Sequence, residues 1–331
     1  MQPLVDIGVP THGSPRFLSE ALDSVTHQTF ARWRLRVSDN GGGNAEDIVR
    51  PYLADPRISY SRNPENIGLT GNLSKLVRES EAPFVALLHD DDRWESEFLE
   101  RRVTFLERHP DCGFVFSPVV DIDERGDEIK RIPAFDVERV LTPREYVPRL
   151  LRDARARPSP PTVVARNSAY RAVGPDFDPR FTVTDLEMWL RLALRFPVGY
   201  LPVWDAGYRF HGAQTSSWIS WGDSWLAFQE HVEALVEAHL PEAQYTPRER
   251  RARRASAHLS IALDRAAAGE QRQALRALRN AVRTYPPAAL DPRLAAGLLA
   301  TVAGKRARRV ILRIRYTTNR RGIRSPFRVP H

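Results

Sequence analysis

At 331 residues, with 42% hydrophobic and 27% charged residues, the chain can build one large core plus a smaller appendage, which excludes a disordered or low-complexity polypeptide. Its one cysteine, Cys112, excludes an intrachain disulfide framework, and the opening MQPLVDIGVPTHG lacks the basic start and apolar run of a secretory signal. The net charge of +8 is local: residues 305–328 hold ten Lys/Arg and no acid, so the remainder carries −2, which argues against a broad nucleic-acid surface.

In chain order, residues 4–9 (LVDIGV) read as a buried strand ending at Pro10. Ser14-Pro15 reads as a helix start, and Phe17, Leu18, Ala21, Leu22 and Val25 recur at helical spacing. Residues 33–38 (WRLRVS) form a second strand stopped by Asp39-Asn40-Gly41-Gly42-Gly43, a strong turn signal. A helix with Ile48, Val49, Tyr52 and Leu53 on one face follows, then a third strand at 57–61 and a helix marked by Leu69, Leu73, Leu76 and Val77. Residues 84–88 (FVALL) are apolar throughout, as expected for a central strand covered on both faces, and run into His89-Asp90-Asp91-Asp92. This alternation predicts a mostly parallel sheet with helices on both faces and a ligand site at the carboxyl ends of its strands.

Further on, a helix is expected over 95–108, a strand over 113–120 (GFVFSPVV), a helix near 143–153, an amphipathic helix over 185–196, and one or two strands within 198–210 ending in Tyr208-Arg209-Phe210-His211. Cys112 beside Phe114 and Phe116 reads as a small buried hydrophobe. From about 225 the sequence turns rich in Ala and Arg, with a helical hairpin at 255–267 and 270–284 turning at Gly269. Trp218, Trp221 and Trp225 fall on one helical face, to pack against these helices or to offer an acceptor platform. The expected organisation is a catalytic domain over 1–225, a helical extension over 226–304 and a basic tail over 305–331. The apolar stretch Leu294–Gly304 is too short to span a bilayer. A cytoplasmic protein is expected, with segment 305–328 available to the anionic inner face of a membrane.

Three adjacent carboxylates, Asp90, Asp91 and Asp92, repel one another and favour a nearby cation; hard Mn²⁺ or Mg²⁺ suits carboxylate oxygen and leaves positions for phosphate. Asp39, in its glycine-rich turn, is placed to accept the N–H of a pyrimidine base. Asp185 opens its helix, where the dipole already favours an acid.

Taken together, the strand ending in Pro10-Thr11-His12, Asp39, Asn66-Ile67-Gly68, Leu87 to Asp92 and Asp185 to Arg191 resemble, in order and spacing, the family 2 glycosyltransferases with the GT-A fold, over roughly residues 3–217. The resemblance implies a Rossmann-like α/β domain with a nucleotide-sugar half over 1–120 and an acceptor half over 121–225. It sets Pro10, Thr11 and His12 along the nucleotide base, Asp39 on the base edge, Asn66 and Gly68 near the donor phosphates, Asp90 toward the ribose, and Asp91 and His211 on the metal. It makes Asp185 the general base of an inverting transfer from a UDP- or dTDP-sugar to a sugar, lipid-linked or small-molecule hydroxyl. Arg209, like His211, is a candidate for clamping the diphosphate. The family usually opens its acidic motif with Asp, and this chain has His89 there. A sugar-phosphate nucleotidylyltransferase would use a similar sheet but needs a basic, glycine-rich loop after the first strand, which VPTHGSPRF does not offer. A basic nucleic-acid-binding or scaffold protein is the non-enzymatic alternative.

Overall fold

All seven residues of β1 (Val5–Thr11) are buried, and its two faces explain why. Val5, Ile7 and Val9 join one apolar cluster with Leu18, Ala21, Leu22 and Val25 of α1 (Leu18–Thr26) and with Phe98, Val103 and Phe105 of α4 (Phe98–Arg108). On the other face α3 (Gly68–Arg78) lies so close that a Cβ on Gly8 would stand 3.0 Å from Leu76 Cβ. A strand enclosed in this way must be largely apolar, and its one charged residue, Asp6, is buried against Arg34. The structure is a computed structural model describing residues 2–13, 15–131, 133–181, 183–211 and 222–302. It divides into two compact units, 1–214 and 215–331.

In the first unit an eight-stranded sheet runs β3 (Ile58–Arg62), β2 (Trp33–Asp39), β1, β4 (Phe84–Leu87), β10 (Val164–Arg166), β6 (Phe114–Phe116), β11 (Val198–Tyr200), β9 (Arg139–Leu141). The first four strands are mutually parallel; β10 is antiparallel to both of its neighbours. A second sheet of four strands, β5 (Arg93–Trp94), β12 (Ala206–Arg209), β7 (Val120–Ile122), β8 (Glu128–Arg131), begins directly after the acidic loop. The single strand expected over 113–120 is two, β6 in the main sheet and β7 in the small one, with Pro118 between them removing a ladder donor. Helix α1 begins at Leu18 rather than directly after Pro15. Leu53 and Leu69, expected on buried faces, are 42% and 40% exposed. Helix α2 (Ala45–Val49), α5 (Pro143–Arg152), α6 (Asn167–Val173) and α7 (Thr184–Arg195) complete the described helices of this unit. Cys112 is buried and free, as read.

The second unit holds α8 (Gly222–His239), α9 (Pro247–Ala268), α10 (Gln271–Thr284) and α11 (Pro292–Val302). The expected hairpin is α9 and α10, packed through Ala255, Leu259, Ala262, Leu278 and Ala281, and Gly269 turns it with φ 86°. Helix α9 starts eight residues before the expected 255, at a capping box in which Thr246 N donates to Glu249 Oε2 at 2.7 Å and Glu249 N donates back to Thr246 Oγ1 at 3.2 Å. Trp225 stacks on Phe228 at 5.2 Å; Trp218, Trp221 and the basic segment 305–331 lie outside the described residues. Among the described residues no helix is long and apolar enough to cross a membrane.

Candidate functional site

Parallel register brings the expected residues to one edge. Thr11, Asp39 and Arg62 stand level at the carboxyl ends of β1, β2 and β3. Beyond the strands, Asn40 N donates to Thr11 O at 2.9 Å and Gly13 N to Gly41 O at 2.8 Å, so the two loops leave the sheet together. Asp39 is 1% exposed; its carboxylate accepts Gly41 N at 2.7 Å and the Tyr60 hydroxyl at 2.7 Å. Burial and that carboxylate push the Tyr60 phenol up, which keeps it a donor. Each carboxylate oxygen retains capacity for a further bond.

A set of asparagines ties this edge to the head of α3, and the sequence reading passed over most of it. Asn63 Nδ2 donates to Asn40 Oδ1 at 2.8 Å, Asn40 Nδ2 to Gly68 O at 3.1 Å, Asn72 Nδ2 to Ser38 O at 2.7 Å, and Lys75 Nζ to Asn63 Oδ1 at 2.7 Å. Asn66 Oδ1 accepts Gly68 N at 2.8 Å, a turn that Gly68 permits with φ 71°, and Asn66 Nδ2 lies 3.5 Å from His12 Nε2. Pro10 and Thr11 are buried, while His12, Asn66 and Gly68 are exposed.

The acidic loop leaves β4 alongside β1, with Leu88 N on Gly8 O at 3.0 Å. Thr11 Oγ1 donates to Asp90 Oδ2 at 2.5 Å, joining the loop to the base-side segment. Burial raises Asp90 to about 6 despite this bond, and the charge of Asp91 adds to the rise. Asp91 meets His211 Nε2 at 3.0 Å through Oδ2, a pairing across the end of the second sheet that the resemblance anticipated. Asp92 is 0% exposed; its Oδ1 accepts Arg209 N at 2.9 Å, and its Oδ2 has no hydrogen-bond partner among the described residues. Burial, and then the neighbouring Asp91, push Asp92 well above the usual carboxylate range.

Arg209 is placed differently from the expectation. Its guanidinium is 0% exposed, donates through Nε to Asp91 O at 2.8 Å and through Nη1 to Asp123 O at 3.0 Å, pairs with Glu20 at 2.6 Å, and lies 4.4 Å from the Phe17 ring centroid. A group so occupied has no face for a diphosphate. It holds the acidic loop from within, and Glu20, which also accepts Arg93 at 2.8 Å, anchors it.

Asp185 lies in the first turn of α7. Burial raises its carboxyl; its own N–H, that of Leu186 and the His89 imidazole act the other way. His89, which opens the acidic loop, acts electrostatically on Asp90 as well as on Asp185 at the head of α7. His89, Asp91 and Asp92 each offer one ligand atom, all within 4.8 Å of one another, and His89 Nε2 is buried without a hydrogen-bond partner. Two orphaned buried atoms beside an exposed-edge carboxylate fit a divalent cation: each would otherwise carry its desolvation penalty uncompensated. His89 and Asp92, to which the sequence assigned no site role, cluster here with Asp91. Their signal was the strand-to-turn placement of the whole tetrad, not the pair of acids alone.

The geometry agrees with what comparison finds. A family model described as glycosyl transferase family 2 matches residues 6–173, half of the chain. An uncharacterized glycosyltransferase of Methanocaldococcus jannaschii is 31% identical over 133 residues, 39% of this chain and 46% of its own length, so the match spans less than half of that relative. Among solved structures, S. aureus TarS in complex with UDP-GlcNAc superposes with a TM-score of 0.61 at 16% identity, covering 96% of this chain and 92% of that one. The mannosyltransferase PcManGT of Pyrobaculum calidifontis, in complex with GDP-Man and Mn²⁺, gives 0.52 at 16% identity over 96% and 87%. At such identities the two structures establish a shared fold.

Proposed function

Because the chain belongs to glycosyl transferase family 2, we propose that it moves a sugar from a nucleoside diphosphate carrier to an acceptor hydroxyl with inversion at the anomeric carbon. The observation that carries this reading is the convergence of Thr11, Asp90, Asp91, His211, His89 and Asp185 around one loop at the carboxyl edge of the sheet. The complexes of its structural neighbours with UDP-GlcNAc and with GDP-Man and Mn²⁺ support a nucleotide-sugar donor and a divalent cation. UDP is the first carrier to test and dTDP the second, since Asp39 suits the N–H of either pyrimidine.

In this reading Pro10, Thr11 and His12 lie along the base, Asp39 accepts from its edge, Asn66 and Gly68 border the diphosphate, and Asp90 meets the ribose. Asp91 and His211 hold Mn²⁺ or Mg²⁺, which when bound supplies positive charge to the departing diphosphate. Asp185 accepts the acceptor hydroxyl's proton as the new carbon–oxygen bond forms and the bond to the diphosphate breaks from the opposite side. Its helix N-terminus and buried position fix the carboxylate for that step. Residues 1–225 then form the catalytic domain and 226–304 its helical extension, in a cytoplasmic protein.

The test is release of nucleoside diphosphate from a panel of UDP-, dTDP- and GDP-sugars with Mn²⁺, by wild type and by Asp91→Ala. Release from at least one pyrimidine-linked donor, lost in the variant, is expected. Release of pyrophosphate from a nucleoside triphosphate and a sugar phosphate would replace this reading with nucleotidyl transfer.

A further inference from the structure

Position 89 departs from the pattern of its own motif, and the local fold gives the departure a use. The acidic loop closes as a turn in which Asp92 N donates to His89 O at 3.2 Å. Such an i to i+3 closure sets the side chains of its first and last residues beside each other. Here the first is an imidazole and the last a carboxylate.

We propose that His89 is itself a ligand of the divalent cation, through Nε2, together with Asp91 and Asp92, and that its imidazole makes the site prefer a first-row transition ion such as Mn²⁺ over Mg²⁺. Three observations carry this. His89 Nε2 is buried with no hydrogen-bond partner among the described residues. Asp92 is 0% exposed and its Oδ2 is likewise unpartnered, while its Oδ1 is fixed by Arg209 N at 2.9 Å. The ligand atoms that His89, Asp91 and Asp92 offer lie within 4.8 Å of one another.

An imidazole nitrogen, a carboxylate and a second carboxylate form a mixed donor set. Mg²⁺ demands oxygen, gives up water reluctantly and gains little from a nitrogen ligand. Zn²⁺, Fe²⁺ and Ni²⁺ gain most from it; Mn²⁺, although also at home among carboxylates, is softer than Mg²⁺ and accepts an imidazole more readily. An acid at position 89 would yield an all-oxygen set open to either ion; His89 narrows it. With His211 already 3.0 Å from Asp91, a second imidazole stands at the same carboxylate. Arg209 backs the set: its bonds to Asp91 O and Asp123 O tie the acidic loop in place.

The proposal rests on the glycosyltransferase reading for the ion's purpose, but not for its binding, so the test omits nucleotide. Mn²⁺ is added to the full chain, and directly bonded nitrogen is read by pulsed electron paramagnetic resonance in wild type, His89→Asp and His211→Asn. Calorimetry gives the Mn²⁺ to Mg²⁺ affinity ratio for each. His211→Asn should keep a histidine nitrogen on the ion. His89→Asp should lose that nitrogen, leaving only the one His211 supplies, and lower the Mn²⁺ to Mg²⁺ ratio, with its circular dichroism unchanged. A His211→Asn protein whose Mn²⁺ has no bonded nitrogen overturns the proposal, and does so even when His89→Asp does not fold. An unchanged ratio in a folded His89→Asp overturns it equally. Nucleoside diphosphate titrated into the same samples reports separately: an ion bound through His89 in a protein that ignores every nucleotide keeps this proposal and removes the glycosyltransferase reading.

Discussion

An acid in the first turn of a helix ordinarily needs no explanation beyond the dipole. Asp185 needs more, because burial raises its carboxyl against the pull of two backbone N–H groups and His89. A base must be ionised to accept a proton. Since the raised carboxyl stays protonated to higher pH than an ordinary one, turnover should fall as pH drops through that raised value and be full above it. Asp185→Asn should lower turnover about a hundred- to ten-thousand-fold and abolish this limb of the pH profile, while donor affinity stays unchanged. Near-normal rate in the variant removes Asp185 as base. At this scale the sequence named Asp91 with His211, 120 positions apart and 3.0 Å from one another, because the motif order carried the pairing. An arginine at a strand end reads as a phosphate ligand, whereas the structure gives Arg209 the partners Glu20, Asp91 O and Asp123 O. The closeness of His89 and Asp92 to Asp91 was not legible, because side-chain direction in a tight turn is set by the turn, not by residue type.

The elements that position the site depend on a pairing deep in the sheet. Asp6 on β1 stands in register with Arg34 on β2 and accepts its Nε at 2.8 Å and Nη2 at 3.0 Å. The same carboxylate accepts Glu81 N at 2.7 Å and Ala82 N at 2.9 Å, pinning the entry to β4. Burial pushes Asp6 up, but the bonds from Arg34, Ala82 and Glu81 outweigh it and hold the carboxyl below its usual range. Its stabilisation is therefore complete above the unfolded carboxylate's range and is lost as pH falls through the depressed folded value. Asp6→Asn should cost about 1–3 kcal/mol at neutral pH, measured by denaturant unfolding, and the gap from wild type should close in acid. A gap independent of pH would contradict the assignment. Strands β1 and β4 were legible because enclosure on both faces forces mostly apolar runs, and β2 because Trp33, Leu35 and Val37 alternate with Arg34 and Arg36 before a glycine-rich turn. Strands β5, β7, β8 and β9 were not: at two to four residues, with β8 almost wholly exposed, they carry no period to read. The early start of α9 was legible in principle, since Thr246-Pro247-Arg248-Glu249 is a capping box with proline at the first position, but its first turns are too polar to show an apolar stripe.

At the scale of the molecule, composition alone sets residues 1–225 apart from a helical segment over 226–304, and the structure forms two compact units, 1–214 and 215–331. The charge divides as well: segment 305–328 holds ten basic residues and no acids, against −2 elsewhere. If that segment meets an anionic membrane, deleting 305–331 should reduce co-sedimentation with phosphatidylglycerol vesicles, most of all at low salt, and leave nucleotide-sugar turnover in solution intact. Retained vesicle binding would place the contact elsewhere. Both expectations are subordinate to the site itself, where the proposed function has residues from β1, the acidic loop, the segment after β12 and the head of α7 hold a cation and a diphosphate. The most direct test is calorimetric titration of UDP and dTDP into wild type and Asp91→Ala, with and without Mn²⁺. Nucleotide should bind wild type only with the ion present and should not bind the variant. Equal affinity in all four conditions, or no binding in any, would contradict this reading.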